Sequence, residues 1–189
     1  MISLIVGLGN PGDEYKKTRH NAGFLLLDAL AKNIGVSFSY NSKFKADIAK
    51  GTVEGKPIHL LKPQTYMNNS GLSVCAYAKY FDISAQQIAV VHDELDFEPG
   101  DIRLKRGGGH GGHNGLRDIA SRLASKEFYR LRVGIGHPGE HANVSDYVLN
   151  APNKADEASI RAAIEAGLAE ISYICKGDFQ SVMQRLHTG

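Results

Sequence analysis

The sequence predicts an α/β protein of one domain, residues 1–189, in which helices flank a twisted mixed β-sheet. Its 189 residues, with 42% hydrophobic content, are enough for one compact core. Short apolar runs alternate with helical patterns along the chain, as in parallel strands that are connected by helices. A hairpin signal at Glu54-Gly55-Lys56 adds an antiparallel pair, so the sheet is expected to be mixed.

The first half of the chain begins with a buried apolar strand, Ser3–Gly7. Ala22–Ile34 carries apolar residues at helical spacing and is followed by a glycine stop signal, so a helix is expected there. Lys45–Val53 and Pro57–Leu61 alternate apolar and polar residues on either side of the hairpin turn. Helical spacing returns over Asn68–Phe81.

The second half of the chain repeats the alternation of strands and helices. Its short apolar runs predict three strands, and its longer periodic segments predict three helices. The expected strands are Ile88–His92, Asp101–Arg106 and Tyr129–Gly136, and the expected helices are Gly115–Leu123, Lys154–Cys175 and Phe179–Leu186.

Composition narrows the class of protein. Cys75 and Cys175 lie far apart in apolar helical patterns, which favours reduced thiols over a disulfide framework and indicates a reducing cytoplasm. The sequence shows no basic leader with a cleavage site and no run approaching about 18 apolar residues, so neither export nor membrane insertion is expected.

Charge is unevenly distributed along the chain, whose net charge is only +2. Asp101–Arg132 contains eight basic and three acidic residues, a net charge of +5. Pro138–Glu170 contains six acidic and two basic residues, a net charge of −4. Charge patterning alone is typical of a solvated surface. The basic segment also holds an unusual glycine loop, however, and this combination favours a polyanionic partner.

That loop, GGGHGGHNG over Gly107–Gly115, places six glycines around two histidines and one asparagine. So many glycines indicate a backbone that another group approaches closely. Three occupants fit such a loop: a metal held by His110 and His113, a phosphate on backbone amides, or a large charged substrate whose reactive end passes Asn114.

The phosphate and metal alternatives both have unfavourable spacing. Gly7–Gly12 matches G-x-G-x-x-G after a strand, but Pro11 and about ten loop residues separate it from the helix that a dinucleotide motif requires. The second glycine loop lacks the Lys-Ser or Lys-Thr pair of a phosphate-binding loop. His110 and His113 lie among glycines instead of one helical turn apart, and the acidic residues after His92 are typical of a solvated turn.

Several polar residues follow predicted strands, where the loops of an open α/β sheet form ligand clefts. These residues are Asn10, His20, Asn68, Asp93, His113 and Asn114. A carboxylate at the mouth of a buried strand needs partners, and Asp93 beside His20 would hold the tautomer in which the imidazole takes a proton from water. With three asparagines as neutral donors and acceptors, the residues indicate hydrolysis of an ester or activated carbonyl without a metal.

Five stretches occur in a fixed order between Gly7 and Gly139: GLGNPGDEYKKTRHNAG, KPQTYMNNSG, HDELD, GGGHGGHNGLRD and RLRVGIGHPG. Together they resemble bacterial peptidyl-tRNA hydrolase, and the C-terminal helices match that family in character. The resemblance implies a monomeric, cytoplasmic enzyme without a metal or other cofactor. It implies cleavage of the ester between a peptide and the 3′ ribose of tRNA.

The resemblance also implies roles for residues at matching positions. His20 is implied as general base, Asp93 as its orienting carboxylate, and Asn10 as the residue that helps distinguish blocked from free aminoacyl groups. Substrate contacts are implied for Tyr15, Tyr66, Met67, Asn68, His113 and Asn114, and tRNA phosphate contacts for Lys105 and Arg132. Many relatives carry Phe at position 66, so no role is implied for the hydroxyl. The remaining alternatives are a nucleotide-binding module without chemistry and a metal-dependent hydrolase.

Overall fold

The computed structural model of the chain describes residues 1–187. Its strands are β1 (Leu4–Gly7), β2 (Ser39–Asn41), β3 (Ala46–Val53), β4 (Lys56–Pro63), β5 (Ile88–Glu94), β6 (Ile102–Arg106) and β7 (Tyr129–Gly134). Its α-helices are α1 (Ala22–Ile34), α2 (Ser70–Tyr80), α3 (Asn114–Leu123), α4 (Val144–Val148), α5 (Lys154–Lys176) and α6 (Phe179–His187). Among the helices of this part of the chain, none is long and apolar enough to cross a membrane.

The strands form one mixed sheet in the order β2-β3-β4-β1-β5-β7-β6. β4, β1, β5 and β7 run parallel, so their carboxyl ends share one edge of the sheet. β3 is antiparallel to β4 across the predicted hairpin, and β2 is antiparallel to β3. The predicted α/β class with a mixed sheet is therefore confirmed.

Helices cover both faces of the sheet and divide the core into two layers. Side chains that alternate along β1 show the division, because Ile5 packs under α1 and α5 whereas Leu4 and Val6 pack under α2 and α3. Buried aliphatic residues of β4 and β5 continue both layers. This double covering explains why the central strands read as nearly continuous apolar runs.

Two short elements were not predicted from the sequence. Strand β2 has three exposed residues and no apolar alternation, so it is defined only by its pairing with Ala46–Ile48 of β3. Helix α4 has five residues, and its first turn is capped by the Asn143 side chain, which accepts from the Asp146 N–H. Neither segment is long enough to display a period.

The direction of β6 differs from the expectation that its end lies beside the other strand ends. β6 is antiparallel to β7, and Arg106 pairs with Tyr129, the first residue of β7. β6 therefore ends at the side of the sheet where the parallel strands begin, far from the cleft. Residues 107–112, called here the glycine strap, must run back across the sheet face to reach His113, which is hydrogen-bonded to Asp93.

Helix α1 packs closely on the backbone of the sheet at Gly23. A Cβ atom at Gly23 would lie 2.3 Å from the carbonyl oxygen of Val91 and 2.4 Å from the backbone nitrogen of Leu8. A Cβ atom at Gly7 would lie 2.4 Å from the carbonyl oxygen of Gly23. Only glycines permit this approach, which places the turn containing His20 against the ends of β1 and β5.

We expect Gly23→Ala to lower the free energy of unfolding by about 1–3 kcal/mol, because the new methyl group must displace backbone atoms. Urea unfolding monitored by circular dichroism measures this change. Gly109→Ala is the matched control, since a Cβ there meets nothing within 4 Å and the residue has no positive φ. A Gly23→Ala variant as stable as the control would contradict the close packing.

Candidate active site

A cleft of about 350 Å³ opens beyond the carboxyl ends of β1, β4 and β5. Nine of the residues singled out in the sequence line this cleft together: Asn10, Tyr15, His20, Tyr66, Met67, Asn68, Asp93, His113 and Asn114. Clefts of this size and position are usual for ligand sites in α/β proteins. The sequence-based expectation that separate loops meet at one place agrees with this geometry.

Asp93 lies at the centre of the cleft floor and is 3% exposed. It stands near the end of β5, and its carboxylate accepts from Nδ1 of His20 at 3.0 Å and 2.9 Å from the two oxygens. His20 lies in a 3-10 turn, Arg19–Asn21, directly before α1. Because Nδ1 faces the carboxylate, Nε2 is the ring nitrogen left to act in the cleft.

His113 is a second partner of the same carboxylate. Its Nε2 is 2.8 Å from Asp93 Oδ1, whereas its Nδ1 accepts from the backbone N–H groups of Gly115 and Leu116 and so caps α3. A ring nitrogen that accepts two N–H groups carries no proton. His113 therefore donates its Nε2–H to Asp93.

These contacts shift the ionisation of the central pair in opposite directions. Burial lowers the pKa of His20, but the charge of Asp93 and the hydrogen bond to it outweigh burial, and the pKa is raised from its ordinary value. Burial raises the pKa of the Asp93 carboxyl, but its interactions with His20 and His113 outweigh burial and hold that pKa far below its usual range. Asp93 is therefore ionised at neutral pH.

His92 is the neighbouring histidine on the other face of β5 from Asp93. Its Nδ1 lies 2.8 Å from the backbone carbonyl oxygen of Asp93, and complete burial lowers its pKa to about 3. It is therefore neutral, and it packs edge-on against His113 with ring centroids 5.1 Å apart. His92 therefore packs against His113 and does not change its charge near neutral pH.

Asn10 is held in one orientation by three hydrogen bonds. Its backbone N–H and carbonyl oxygen bond to the side chain of Asn21 at 2.8 Å and 2.9 Å, and its Oδ1 accepts from the Met67 N–H at 2.7 Å. Since Oδ1 is engaged, the Nδ2 amide is the group that remains for a ligand. Sequence reasoning missed Asn21, although it adjoins His20, because side-chain contacts to a distant loop leave no local pattern.

The remaining predicted cleft residues supply aromatic and amide surface. The rings of Tyr15 and Tyr66 meet edge to face with centroids 6.4 Å apart, and Tyr66 is 60% exposed. Asn68 lines the cleft from the 3-10 turn Met67–Asn69. Asn114, the first residue of α3, accepts from the Arg117 guanidinium through Oδ1, which leaves its Nδ2 as the available donor.

Helix α4 closes one side of the cleft with apolar residues, among them Val144 and Val148. Arg19 ties this wall to the turn that carries His20, because its Nη1 donates to the carbonyl oxygens of Tyr147 and Asn150 at 2.9 Å and 3.2 Å. Its guanidinium also lies 3.9 Å from the Tyr147 ring centroid. Because α4 was not predicted, this wall was absent from the sequence-based site.

Lys105 and Arg132 lie outside the cleft, on the β6–β7 pair. In the antiparallel register, Lys105 pairs with Arg130 and Arg103 pairs with Arg132. Paired residues point to the same side, so these four cations share one face of β6 and β7. Arg103 and Arg132 both lie against Phe97, with guanidinium carbons 4.6 Å and 4.8 Å from the ring centroid. Arg132 also lies 4.0 Å from a carboxylate oxygen of Glu94, which offsets part of the repulsion between these like charges.

The structure redefines the possible metal ligands. Within residues 1–187, the side chains that lie close enough together to bind a metal ion are His20, Asp93 and His113, whose ligand atoms are within 4.8 Å of one another. His110 is not part of this group. Both histidines approach the ionised carboxylate at hydrogen-bond distance, which assigns an N–H to His20 Nδ1 and to His113 Nε2. This pattern favours a hydrogen-bonded carboxylate with two histidines over a metal centre.

The comparisons with known proteins agree with one another. A family model for peptidyl-tRNA hydrolase matches residues 4–189. The chain is similar to the peptidyl-tRNA hydrolase of Nitrosomonas europaea, at 50% identity over 99% of this chain and 96% of that protein. It is 51% identical to that of Coxiella burnetii, over 99% and 98% of the two chains. A crystal structure of peptidyl-tRNA hydrolase from Acinetobacter baumannii matches with a TM-score of 0.96 at 45% identity, over 99% and 95%.

We expect the His20 imidazole to titrate above its ordinary pKa of about 6.5, because the charge of Asp93 favours the protonated ring. In Asp93→Asn that charge is lost while burial remains, so the pKa of His20 should fall below the ordinary value. NMR titration of the imidazole resonances measures both values. His92 serves as the internal control and should not titrate between about pH 5 and 8, and an unchanged His20 pKa in Asp93→Asn would contradict the pairing.

Proposed function

Because this chain belongs to the peptidyl-tRNA hydrolase family, its activity is the hydrolysis of peptidyl-tRNA, and we propose that His20 is the general base of that reaction. One observation carries this assignment: the buried carboxylate of Asp93 accepts from Nδ1 of His20, which leaves Nε2 of the ring in the cleft. A base oriented in this way can remove a proton from water without forming a covalent intermediate.

The proposed reaction has two proton transfers. Nε2 of His20 takes a proton from a water molecule while the water oxygen attacks the carbonyl carbon of the ester. The imidazolium that forms is stabilised by Asp93 through the Nδ1–H bond. When the tetrahedral intermediate collapses, the bond from carbon to the 3′ oxygen breaks, and His20 returns the proton to that oxygen. The products are a tRNA with a 3′ hydroxyl and a peptide carboxylic acid, which loses its proton to the solvent.

Amide donors support the charge that develops on the carbonyl oxygen. Arg117 occupies Oδ1 of Asn114, so the Nδ2 group of Asn114 is directed to other partners. Asn68 lines the same cleft. Neutral donors that are fixed before the reaction begins stabilise an oxyanion without having to reorganise. We assign Asn68 and Asn114 to this role and to binding the polar groups of the substrate.

Asn10 is assigned to recognition of the blocked amino group. Its Oδ1 is occupied by the Met67 N–H, so it presents the Nδ2 donor to the cleft. The carbonyl oxygen of an N-acyl group or peptide bond can accept from that donor. A free ammonium group is itself a donor and would lose water without gaining an acceptor. Asn21 acts in this selection by fixing the backbone of Asn10.

Residues around the reacting centre are available to bind the aminoacyl group, the terminal nucleotide and the phosphates of the substrate. Tyr15, Tyr66 and Met67 offer apolar and aromatic surface beside Asn10, and we assign them to the aminoacyl and terminal nucleotide portions. We assign Lys105 and Arg132 to tRNA phosphates, because they share one face of the β6–β7 pair beside the strap. We propose that the protein acts as a monomer in the cytoplasm.

A turnover assay tests the function and its specificity together. We expect N-acetyl-aminoacyl-tRNA to be hydrolysed and free aminoacyl-tRNA to be spared, because only the blocked group offers an acceptor to Asn10. The assay compares initial rates on the two substrates with and without a metal chelator. Equal rates on both substrates would refute the role of Asn10, and loss of activity with chelator would favour the metal-dependent alternative.

His20 and Asp93 should behave as one unit. We expect His20→Ala to lower kcat by about 10²- to 10⁴-fold because the proton acceptor is lost. Asp93→Asn should also be severely impaired, since it removes the charge that stabilises the imidazolium. Once His20 is absent, Asp93 has no imidazole to orient, so the double variant should lose little more than His20→Ala alone.

The comparison needs kcat for both single variants and the double variant, each shown to be folded and to bind tRNA. Losses that multiply would mean that the two residues act independently and that Asp93 is not the orienting partner of His20.

A further inference from the structure

The glycine strap has to cross the sheet face in a fixed path. It leaves β6 beside the first residue of β7, at the side of the sheet away from the cleft. There the Gly107 N–H donates to the carbonyl oxygen of Phe128. It ends at His113, whose Nε2 bonds to Asp93. Gly107, Gly108, Gly111 and Gly112 have positive φ values, so the strap has little intrinsic preference for one shape. His110 accepts from the N–H groups of Gly112 and His113 within the strap, so Gly108 and Gly109 are the part that needs contacts from outside.

Arg130 lies beneath the strap and contacts its backbone. Its Nη1 donates to the carbonyl oxygen of Gly109 at 2.5 Å, and its Nη2 donates to those of Gly108 at 2.8 Å and Lys126 at 3.4 Å. The guanidinium carbon lies 4.6 Å from the Phe128 ring centroid. A planar fork of donors can hold two successive carbonyl groups at once, which a lysine ammonium cannot do with the same geometry.

The environment of Arg130 is unusual for a basic residue on a nucleic-acid-binding face. It is 2% exposed, whereas its strand neighbour Lys105 is partly exposed and its ammonium end lies against Gly108. Among the ion pairs of residues 1–187, none includes Arg130, so its buried charge is met by carbonyl dipoles. A buried cation without a carboxylate costs stability, and a residue placed for phosphate binding would not be turned inward.

We propose that Arg130 is a positioning residue of the hydrolase, which fixes the glycine strap so that His113 meets Asp93, and that it does not bind tRNA phosphate. This inference rests on the proposed function of His20 and Asp93. The link is continuous along the chain: Arg130 holds Gly108 and Gly109, the strap leads to His113, and His113 both caps α3 and donates to Asp93. A displaced strap leaves Asp93 with one donor instead of two and frees it to move away from His20.

The kinetic test compares Arg130→Met with Lys105→Ala, both measured on N-acetyl-aminoacyl-tRNA over a series of salt concentrations. For Arg130→Met we expect kcat to fall by about 10²-fold, because a small misplacement of catalytic groups is costly. Its KM and the salt dependence of tRNA binding should stay as in the unmodified enzyme. For Lys105→Ala we expect KM to rise with kcat nearly kept, and the salt slope to fall by about 0.7–0.9 per lost phosphate contact.

The NMR test does not depend on activity. The His113 Nε2–H that bonds to Asp93 should give a slowly exchanging resonance in the unmodified protein and in Lys105→Ala. It should exchange rapidly in Arg130→Met. If the protein lacked hydrolase activity, the kinetic comparison would fail for every variant, whereas this signal would still report whether Arg130 positions His113.

Arg130→Lys is a second variant, which keeps the proposal testable if Arg130→Met fails to fold. It keeps the charge and most of the volume but has no planar fork, so we expect it to remain folded by circular dichroism and to recover only part of kcat and of the His113 signal. A salt slope reduced in Arg130→Met as in Lys105→Ala would identify Arg130 as a phosphate ligand and overturn the proposal. So would an unchanged kcat together with an unchanged His113 resonance.

Discussion

The buried carboxylate of Asp93 is the constraint on which the rest of the site depends. An ionised carboxylate at 3% exposure is unfavourable unless donors surround it, and here the donors come from two distant segments, His20 and His113. The first segment is placed by the contact of Gly23 with the sheet backbone, and the second by the glycine strap. By accepting from both histidines, Asp93 of β5 therefore joins the segment that follows β1 to the segment that follows β6.

Strand direction explains why those loops are so different from one another. β1 and β5 end at the cleft, so the segment that follows β1 presents Asn10 and His20 directly, and the end of β5 itself presents Asp93. β6 ends at the far edge, and a strap of mostly glycine residues has to return across the face before His113 can begin α3. The unusual glycine content is thus first a requirement of topology, and Gly111 and Gly112 then serve as part of the cleft wall.

The sequence was sufficient for features that have local signals. Apolar periodicity predicted the main strands and helices, and polar residues after strands predicted the cleft residues at Asn10, His20 and Asp93. It was insufficient where a feature depends on pairing between distant segments: the direction of β6, the short strand β2, and the contacts of Asn21. Charge counting also failed at Arg130, because the count includes buried and exposed cations alike.

The capping of α3 by His113 has a consequence for the chemistry of the pair beside it. When His20 is in its unprotonated form, the buried site holds the negative charge of Asp93, and proton transfer from water places an imidazolium beside that charge. Stabilisation is then greater in the transition state than in the ground state, which is the condition for acceleration. Because Gly115 and Leu116 donate to Nδ1 of His113 and its Nε2 bonds to Asp93, His20 is the partner of Asp93 that keeps a ring nitrogen for water.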